Sequence, residues 1–188
     1  KIAKKQITQE MNDFFEKRTQ EHINLVQKYA EKIEKTFPKE FKGLIEQSKK
    51  HDQSKLEEPE KTPYIYITWS YKFKDQGKEY KLPKDIEEKM HETTMHHVKN
   101  NSHHPEFHSD QDQDIINRED RDKPPKKAIN AKKMDMISLG EMVADWCAMS
   151  EEKNEKSPKQ WADKNVNIRW EFKPEQKKWI YKLIEEVW

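Results

Sequence analysis

Glycine is almost missing from this sequence. Three in 188 residues leave few positions for left-handed turns, which disfavours a many-hairpin β fold and points to long helices. Cysteine is rarer still. The single Cys147 excludes an internal disulfide framework and fits a reducing compartment. No apolar run approaches the roughly 18–20 residues that a membrane span needs, and no secretory hydrophobic segment opens the chain. The sequence opens on Lys1 rather than Met, consistent with a trimmed N-terminus. Cytoplasm is the expected location. An excess of one charge is also absent: Lys+Arg number 37 and Asp+Glu 36. A near-neutral chain lacks the surplus cation that drives strong non-specific nucleic-acid binding, so neither that partner nor a membrane is expected.

What is present must build a core. Charged residues make up 39% and hydrophobic ones only 32%, a balance that leans toward disorder. Six Trp, seven Phe, six Tyr and seven Met argue the other way. Each aromatic can bury roughly 150–250 Å², enough together for a compact interior. Neither an internal repeat nor a Pro/Gly/Ser linker divides the chain, so residues 1–188 are expected to form a single all-α domain.

Periodicity places the helices. Met11, Phe14, Arg18, His22, Val26, Tyr29 and Ile33 recur at three- and four-residue steps, predicting one long helix from about Ile7 to Phe37, ended by Pro38. Phe41, Leu44, Ile45 and Ser48 form a second, shorter stripe that runs into His51-Asp52. The stretch Tyr64–Phe73 alternates like a strand, but it has no clear partner apart from a possible short one after Gly77, so helix or irregular structure is favoured. Lys84 to Asn100 reads as a helix entered after Pro83, and Met134 to Ser150 as an apolar one. Between them, residues 101–127 are polar and predict a long surface loop. Ser157-Pro158 is a helix start with Gln160 at the capping-box position. A last helix from about Pro174 is expected to dock Ile180, Leu183, Ile184 and Val187 on the core.

The chemistry lies in the histidines. Six of the eight fall between His91 and His108, while His22 and His51 sit on or beside apolar stripes. An imidazole on a core-facing stripe must satisfy two ring nitrogens where water is scarce. His97, eleven residues beyond Ile86, returns to nearly the same helical face. Asp145 lies between Met142 and Met149, with Glu141 one turn earlier. A buried carboxylate is costly unless it is paired or metal-bound. Four helical segments, each turning an imidazole or carboxylate inward, can be satisfied together by one metal centre.

The stretch His51-Asp52-Gln53-Ser54-Lys55 resembles the H-D-x-x-K signature of the HD-domain metal-dependent phosphohydrolases. Proteins of that superfamily are helical bundles with the order His, His-Asp, further His and a late Asp. The matching order here is His22, His51-Asp52, His97 with His103-His104, and Asp145. The chain looks closer still to an uncharacterised HD-like family of phage and bacterial proteins. That resemblance rests on EHI at 21–23, HDQSK at 51–55, PEKTPY at 59–64, HHVKNNSHHPE at 96–106, EMVADW at 141–146, and the MSEE and WADKN segments that follow. It spans nearly the whole chain. Two features depart from better-known relatives. His103 follows His97 by only six positions, and the Gly-Tyr-Pro stretch of the cyclic-dinucleotide phosphodiesterases is absent, which disfavours cleavage of cyclic dinucleotides.

The resemblance implies an HD-like bundle in which His22, His51, Asp52 and Asp145 hold one divalent metal. Asp52 would bridge to a second ion served by His97, His103 and His104. Mixed imidazole and carboxylate donors suit Mn, Fe, Ni, Co or Zn better than Mg. Lys55, one helical turn past His51 if the helix continues, would offer its ammonium to a phosphate oxygen. His104, biased to extended backbone by Pro105, would approach the site from the loop with Glu106 beside it, either to support a metal ligand or to act as a general acid. Glu60 and Glu141 would orient ligand histidines by accepting their second N–H, and Arg18 would contact substrate or cap the core. The implied activity is hydrolysis of a nucleotide or another phosphate ester, in the host cytoplasm if the gene is a phage's. Two alternatives stay open: a di-iron oxidase or oxygenase of the same fold, and a non-catalytic, metal-stabilised binding protein.

Overall fold

The computed structural model describes residues 6–110 and 127–188, and helix dominates. In chain order the elements are α1 (Gln9–Thr36), α2 (Leu44–Ser48), a 3-10 turn (Gln53–Leu56), α3 (Lys61–Asp75) and α4 (Lys84–Asn100). A second 3-10 turn (Pro105–His108) follows, then β1 (Ile129–Asn130), α5 (Met136–Glu152), α6 (Lys159–Asn165), β2 (Trp170–Glu171) and α7 (Pro174–Val187). The two short strands pair in parallel, Ile129 opposite Trp170 and Asn130 opposite Glu171. The fold is all-α, as the glycine count and the periodicity predict. No described helix is long and apolar enough to cross a membrane.

Two compact units divide the described residues. One runs up to Glu21 and resumes over Asp52–His97; the other takes His22–His51 and continues from Val98 to Trp188. In the first, Met11, Phe15, Ile65, Tyr66 and Ile86 form the buried cluster, with Trp69, Tyr80 and Leu82 packed against it. Phe15, not Phe14, is the fully buried aromatic of α1; Phe14 meets the Trp69 ring edge-on at 5.9 Å. The Tyr64–Phe73 stretch is helical. In α3 its β-branched and aromatic side chains bury Ile65, Tyr66, Ile67 and Thr68, and tertiary packing overrides the strand propensity. Gly77 then ends the turn with φ 68°, and the Lys78 N–H reaches back to the Phe73 carbonyl at 2.9 Å, a Schellman-type stop. Arg18 contacts Asp75 at 3.9 Å and lies over the Tyr71 ring.

The second unit holds the larger core, built from α1 residues Val26, Ala30 and Ile33 together with α2, α5 and α7. Phe37, Phe41 and Trp179 meet edge to face, with ring centroids 5.3–6.4 Å apart. Gly140 of α5 makes room for this contact. A β-carbon there would lie 2.7 Å from Phe41 Cδ1 and 3.0 Å from Leu44 Cδ2, so only glycine lets α2 press against α5. The α7 start follows the proline reading: the Lys173 N–H donates to Gln176 Oε1 at 2.7 Å. Gln176 Nε2 in turn donates to the carbonyls of Ala131 and Met134. The Ser157 hydroxyl accepts from the Lys159 N–H at 3.1 Å, serving the start of α6.

Helix α2 corrects one expectation. It spans only Leu44–Ser48, because the chain then tightens into i→i−3 turns, Lys50 N–H to Gln47 and His51 N–H to Ser48. Asp52 follows in the left-handed region, with φ 55°. The helix therefore does not continue to Lys55, which stands instead in the 3-10 turn after Asp52. The described start of the polar middle carries buried side chains: Asn101, His103, Pro105 and Glu106. Residues 111–126 of the predicted loop lie outside the described residues.

Glu34 closes the α1–α2 corner. Its carboxylate accepts the Gly43 N–H at 3.0 Å and the Ile45 N–H at 2.7 Å, covering the amides at the start of α2. The bonds from Ile45 and then Gly43 hold its pKa below the ordinary value of 4.5. A lowered carboxyl stabilises the fold fully above that ordinary value and loses the contribution as pH falls through the folded one. Glu34→Ala is expected to cost about 1 kcal/mol at neutral pH. In urea unfolding, its gap from the wild type should close on acidification below 4.5. A gap that persists unchanged in acid would contradict the assignment.

Candidate metal centre

In the larger unit, three imidazoles and three carboxylates meet. His22, on α1, sets Nε2 3.0 Å from Asp145 Oδ1 and Nδ1 3.0 Å from Glu152 Oε1. His51, in the turn after α2, sets Nδ1 2.9 Å from Glu141 Oε1. Its Nε2 stands 3.3 Å from His22 Nε2 and 3.8 Å from Asp145 Oδ1. His103 brings Nδ1 to 3.5 Å from the same Glu141 oxygen, and its ring lies 4.1 Å from that of His51. His51, His103 and Asp145 each offer a donor atom within 4.8 Å of the others, a group that could hold a metal ion.

Counting protons sharpens this. A neutral imidazole carries one N–H. When the Nδ1 protons of His22 and His51 are given to Glu152 and Glu141, both Nε2 atoms are left as lone pairs. These face one another and a carboxylate oxygen, so something positive must lie among them, either a shared proton or a cation. Burial alone would raise the Asp145 carboxyl, but the hydrogen bond from His22 and the charges of His22, His51 and His103 outweigh it and hold the pKa far below the usual carboxylate range. Burial likewise opposes ionisation of Glu141, yet hydrogen bonds from His103 and His51 bring it down to about 2. Both acids are anions.

The smaller unit repeats the logic. His97 Nε2 stands 3.2 Å from Asp52 Oδ1, and its Nδ1 is 2.9 Å from Glu60 Oε2. The other Glu60 oxygen meets His96 Nδ1 at 2.7 Å, and the Ser54 hydroxyl donates to Glu60 at 3.1 Å. Glu60 is fully buried, and burial opposes its charge; the bonds from His97 and His96 outweigh that and lower its pKa. For His97, burial disfavours the cation, but the Asp52 charge, with hydrogen bonds to Asp52 and Glu60, raises the pKa. Lys55 Nζ lies 2.6 Å from Asp52 Oδ2 and over the Tyr64 ring at 5.1 Å.

Each unit thus gathers a set of the residues singled out in the sequence: His51, His103 and Asp145, with His22 against Asp145, in the larger, and Asp52, Lys55 and His97 in the smaller. The His104 ring lies against that of His103, centroids 4.1 Å apart and tilted by 42°, with the extended backbone that Pro105 imposes, φ −91° and ψ 129°. Glu106 turns Oε1 toward the Trp170 indole N–H at 3.0 Å. His108 reaches the Ser102 carbonyl rather than either set. Glu60 and Glu141 accept imidazole N–H groups. Sequence reasoning missed Glu152, although a signal existed: Glu151 and Glu152 end α5 with no basic residue in its last turn, where the helix dipole disfavours anions. Such a placement calls for partners, and the structure supplies Lys28 and Tyr29 for Glu151 and His22 for Glu152.

Asp52 combines a charge with a left-handed backbone, which Asn and Gly tolerate and Ala does not. Asp52→Ala should therefore unfold more easily than Asp52→Asn by about 1–2 kcal/mol in chelator-treated protein. Equal urea midpoints for the two variants would show that this backbone strain is not felt.

No curated protein and no solved structure matches the chain. One family model does match, over residues 11–186, which takes in every residue of both sets. The chain belongs to that family, described as a family of unknown function (DUF5662).

Proposed function

We propose that this protein is a metal-dependent phosphohydrolase of the HD type, acting on a nucleotide or another small phosphate ester. The observation that carries the reading is the meeting of His22 Nε2, His51 Nε2 and Asp145 Oδ1 at 3.0–3.8 Å, with each distal imidazole nitrogen on a glutamate. The order of these residues along the chain, with His51-Asp52 and Lys55 in H-D-x-x-K spacing, supports it.

His22, His51, His103 and Asp145 would hold a divalent ion, and their donor types favour Mn, Fe, Ni, Co or Zn. When bound, such an ion lowers the pKa of a coordinated water toward neutrality and polarises a phosphoryl oxygen. The chain's own groups do the rest. Glu152 and Glu141 keep the Nδ1 protons of His22 and His51 engaged, leaving Nε2 for coordination. Asp52 and His97 form a further acid–imidazole pair, whose orientation Glu60 fixes. Lys55 carries the ammonium assigned to a phosphate oxygen, and its contact with Asp52 keeps it in place. His104, whose ring lies against that of His103, is assigned the proton for the leaving group.

Protein purified without a histidine tag should contain a stoichiometric transition metal by elemental analysis. With added Mn²⁺ it should release phosphate from at least part of a panel of nucleotides and phosphomonoesters. Asp52→Asn and Asp145→Asn should each lower that rate by roughly a hundredfold or more, the first through the pair with His97 and the hold on Lys55, the second through loss of a metal-holding group. Bound iron with a visible or EPR signal and no phosphate release would move the reading to the di-iron oxidase. A biological effect that survives both substitutions would leave a binding protein.

A further inference from the structure

Glu141 reaches Nδ1 of two imidazoles of the larger unit, those of His51 and His103, and its own geometry is locked from behind. The lock starts at Gly140, where the missing β-carbon lets Phe41 and Leu44 close on α5. That approach brings Gln47 of α2 to the neighbouring residue. Gln47 Nε2 donates to Glu141 Oε2 at 2.8 Å and to the Ser102 hydroxyl at 3.1 Å, next to His103. A flipped Gln47 amide would set its oxygen against a carboxylate oxygen, so the amide has one orientation. Glu141 is then left with a single free face, Oε1, and as an anion it can only accept.

We propose that Glu141 is a positioning residue. Locked by Gln47, it fixes the Nδ1–H form of His51 and His103 and so commits the Nε2 atom of each to a cation. This rests on the metal-centre reading above and deepens it. The two imidazoles come from segments far apart in the sequence, and one carboxylate gives them a common proton arrangement. A glutamine at 141 cannot do this. Either its amide N–H₂ opposes the Gln47 N–H₂, or, flipped, it opposes the imidazole N–H groups. Exchanging the two residues restores the chain of bonds, with the Ser102 hydroxyl turned to donate: Gln47→Glu accepts from the Glu141→Gln amide, whose oxygen again accepts from His51.

The test uses the full chain and two readouts. Glu141→Gln should bind Zn²⁺ or Mn²⁺ roughly 10–100-fold more weakly in competition with a chelating dye. The Gln47→Glu/Glu141→Gln exchange should recover most of that loss. In metal-free protein labelled with ¹⁵N-histidine, long-range ¹H–¹⁵N spectra should show His51 protonated on Nδ1 in the wild type and in the exchange variant, but not in Glu141→Gln. A folded Glu141→Gln protein with wild-type affinity and tautomers overturns the proposal, as does an exchange variant no better than the single substitution. Should Glu141→Gln fail to fold, the exchange variant must fold and bind, or the proposal falls. Wild-type protein that binds neither metal defeats the metal-centre reading instead, and the tautomer spectra still decide the role of Glu141.

Discussion

Two lone pairs cannot face each other in a protein interior without something positive between them, and this structure is built around places where they do. His22 Nε2 and His51 Nε2 stand 3.3 Å apart beside Asp145. In the smaller unit, His97 Nε2 faces Asp52 Oδ1 at 3.2 Å. A buried acid or imidazole costs several kcal/mol unless it is paired. The fold meets that cost by supplying each inward nitrogen with a glutamate on its far side. It follows that each unit's histidines have a second layer behind them, Glu141 and Glu152 in the larger and Glu60 in the smaller, which matters as much as the histidines it holds.

Ordinary packing puts these groups in place. Gly140 allows a helix of one and a half turns, α2, to lean on α5, so that the turn after Ser48 delivers His51 to Glu141. The left-handed Asp52 then redirects the chain into the 3-10 turn that carries Lys55 back to the Asp52 carboxylate. Glu34 holds the start of α2 through two backbone amides. Cys147 takes no part in this chemistry. It is buried among apolar neighbours, and burial pushes its thiol up to about 12, where it is inert.

Much of this was legible from the residues alone. The long helices α1, α4 and α5 announce themselves because their apolar spacing runs without glycine or proline until the end, or, in α5, across the one glycine that packing requires. His22, His51 and Asp145 stood out as polar groups on apolar stripes, and they do converge. The course of the chain past Ser48 was not legible. A stripe of four apolar or small residues looks the same whether the helix continues or turns, and nothing local marks Asp52 as left-handed. His103 lies in a segment whose composition reads as a solvated loop. Its burial is satisfied by Glu141, thirty-eight residues later in the sequence, and no window-based reading spans that distance. Glu152 was hidden for the opposite reason: it sits among other acids at a helix end, where only the helix dipole argues that it needs a partner.

The most direct measurement of the central claim is anomalous X-ray scattering from crystals of tag-free protein, collected across the absorption edges of the candidate transition metals. A peak is predicted at roughly 2.0–2.2 Å from the Nε2 atoms of His22 and His51 and from Asp145 Oδ1. A metal-replete crystal with no peak there, and with His22 and His51 simply hydrogen-bonded to their carboxylates, would contradict the account.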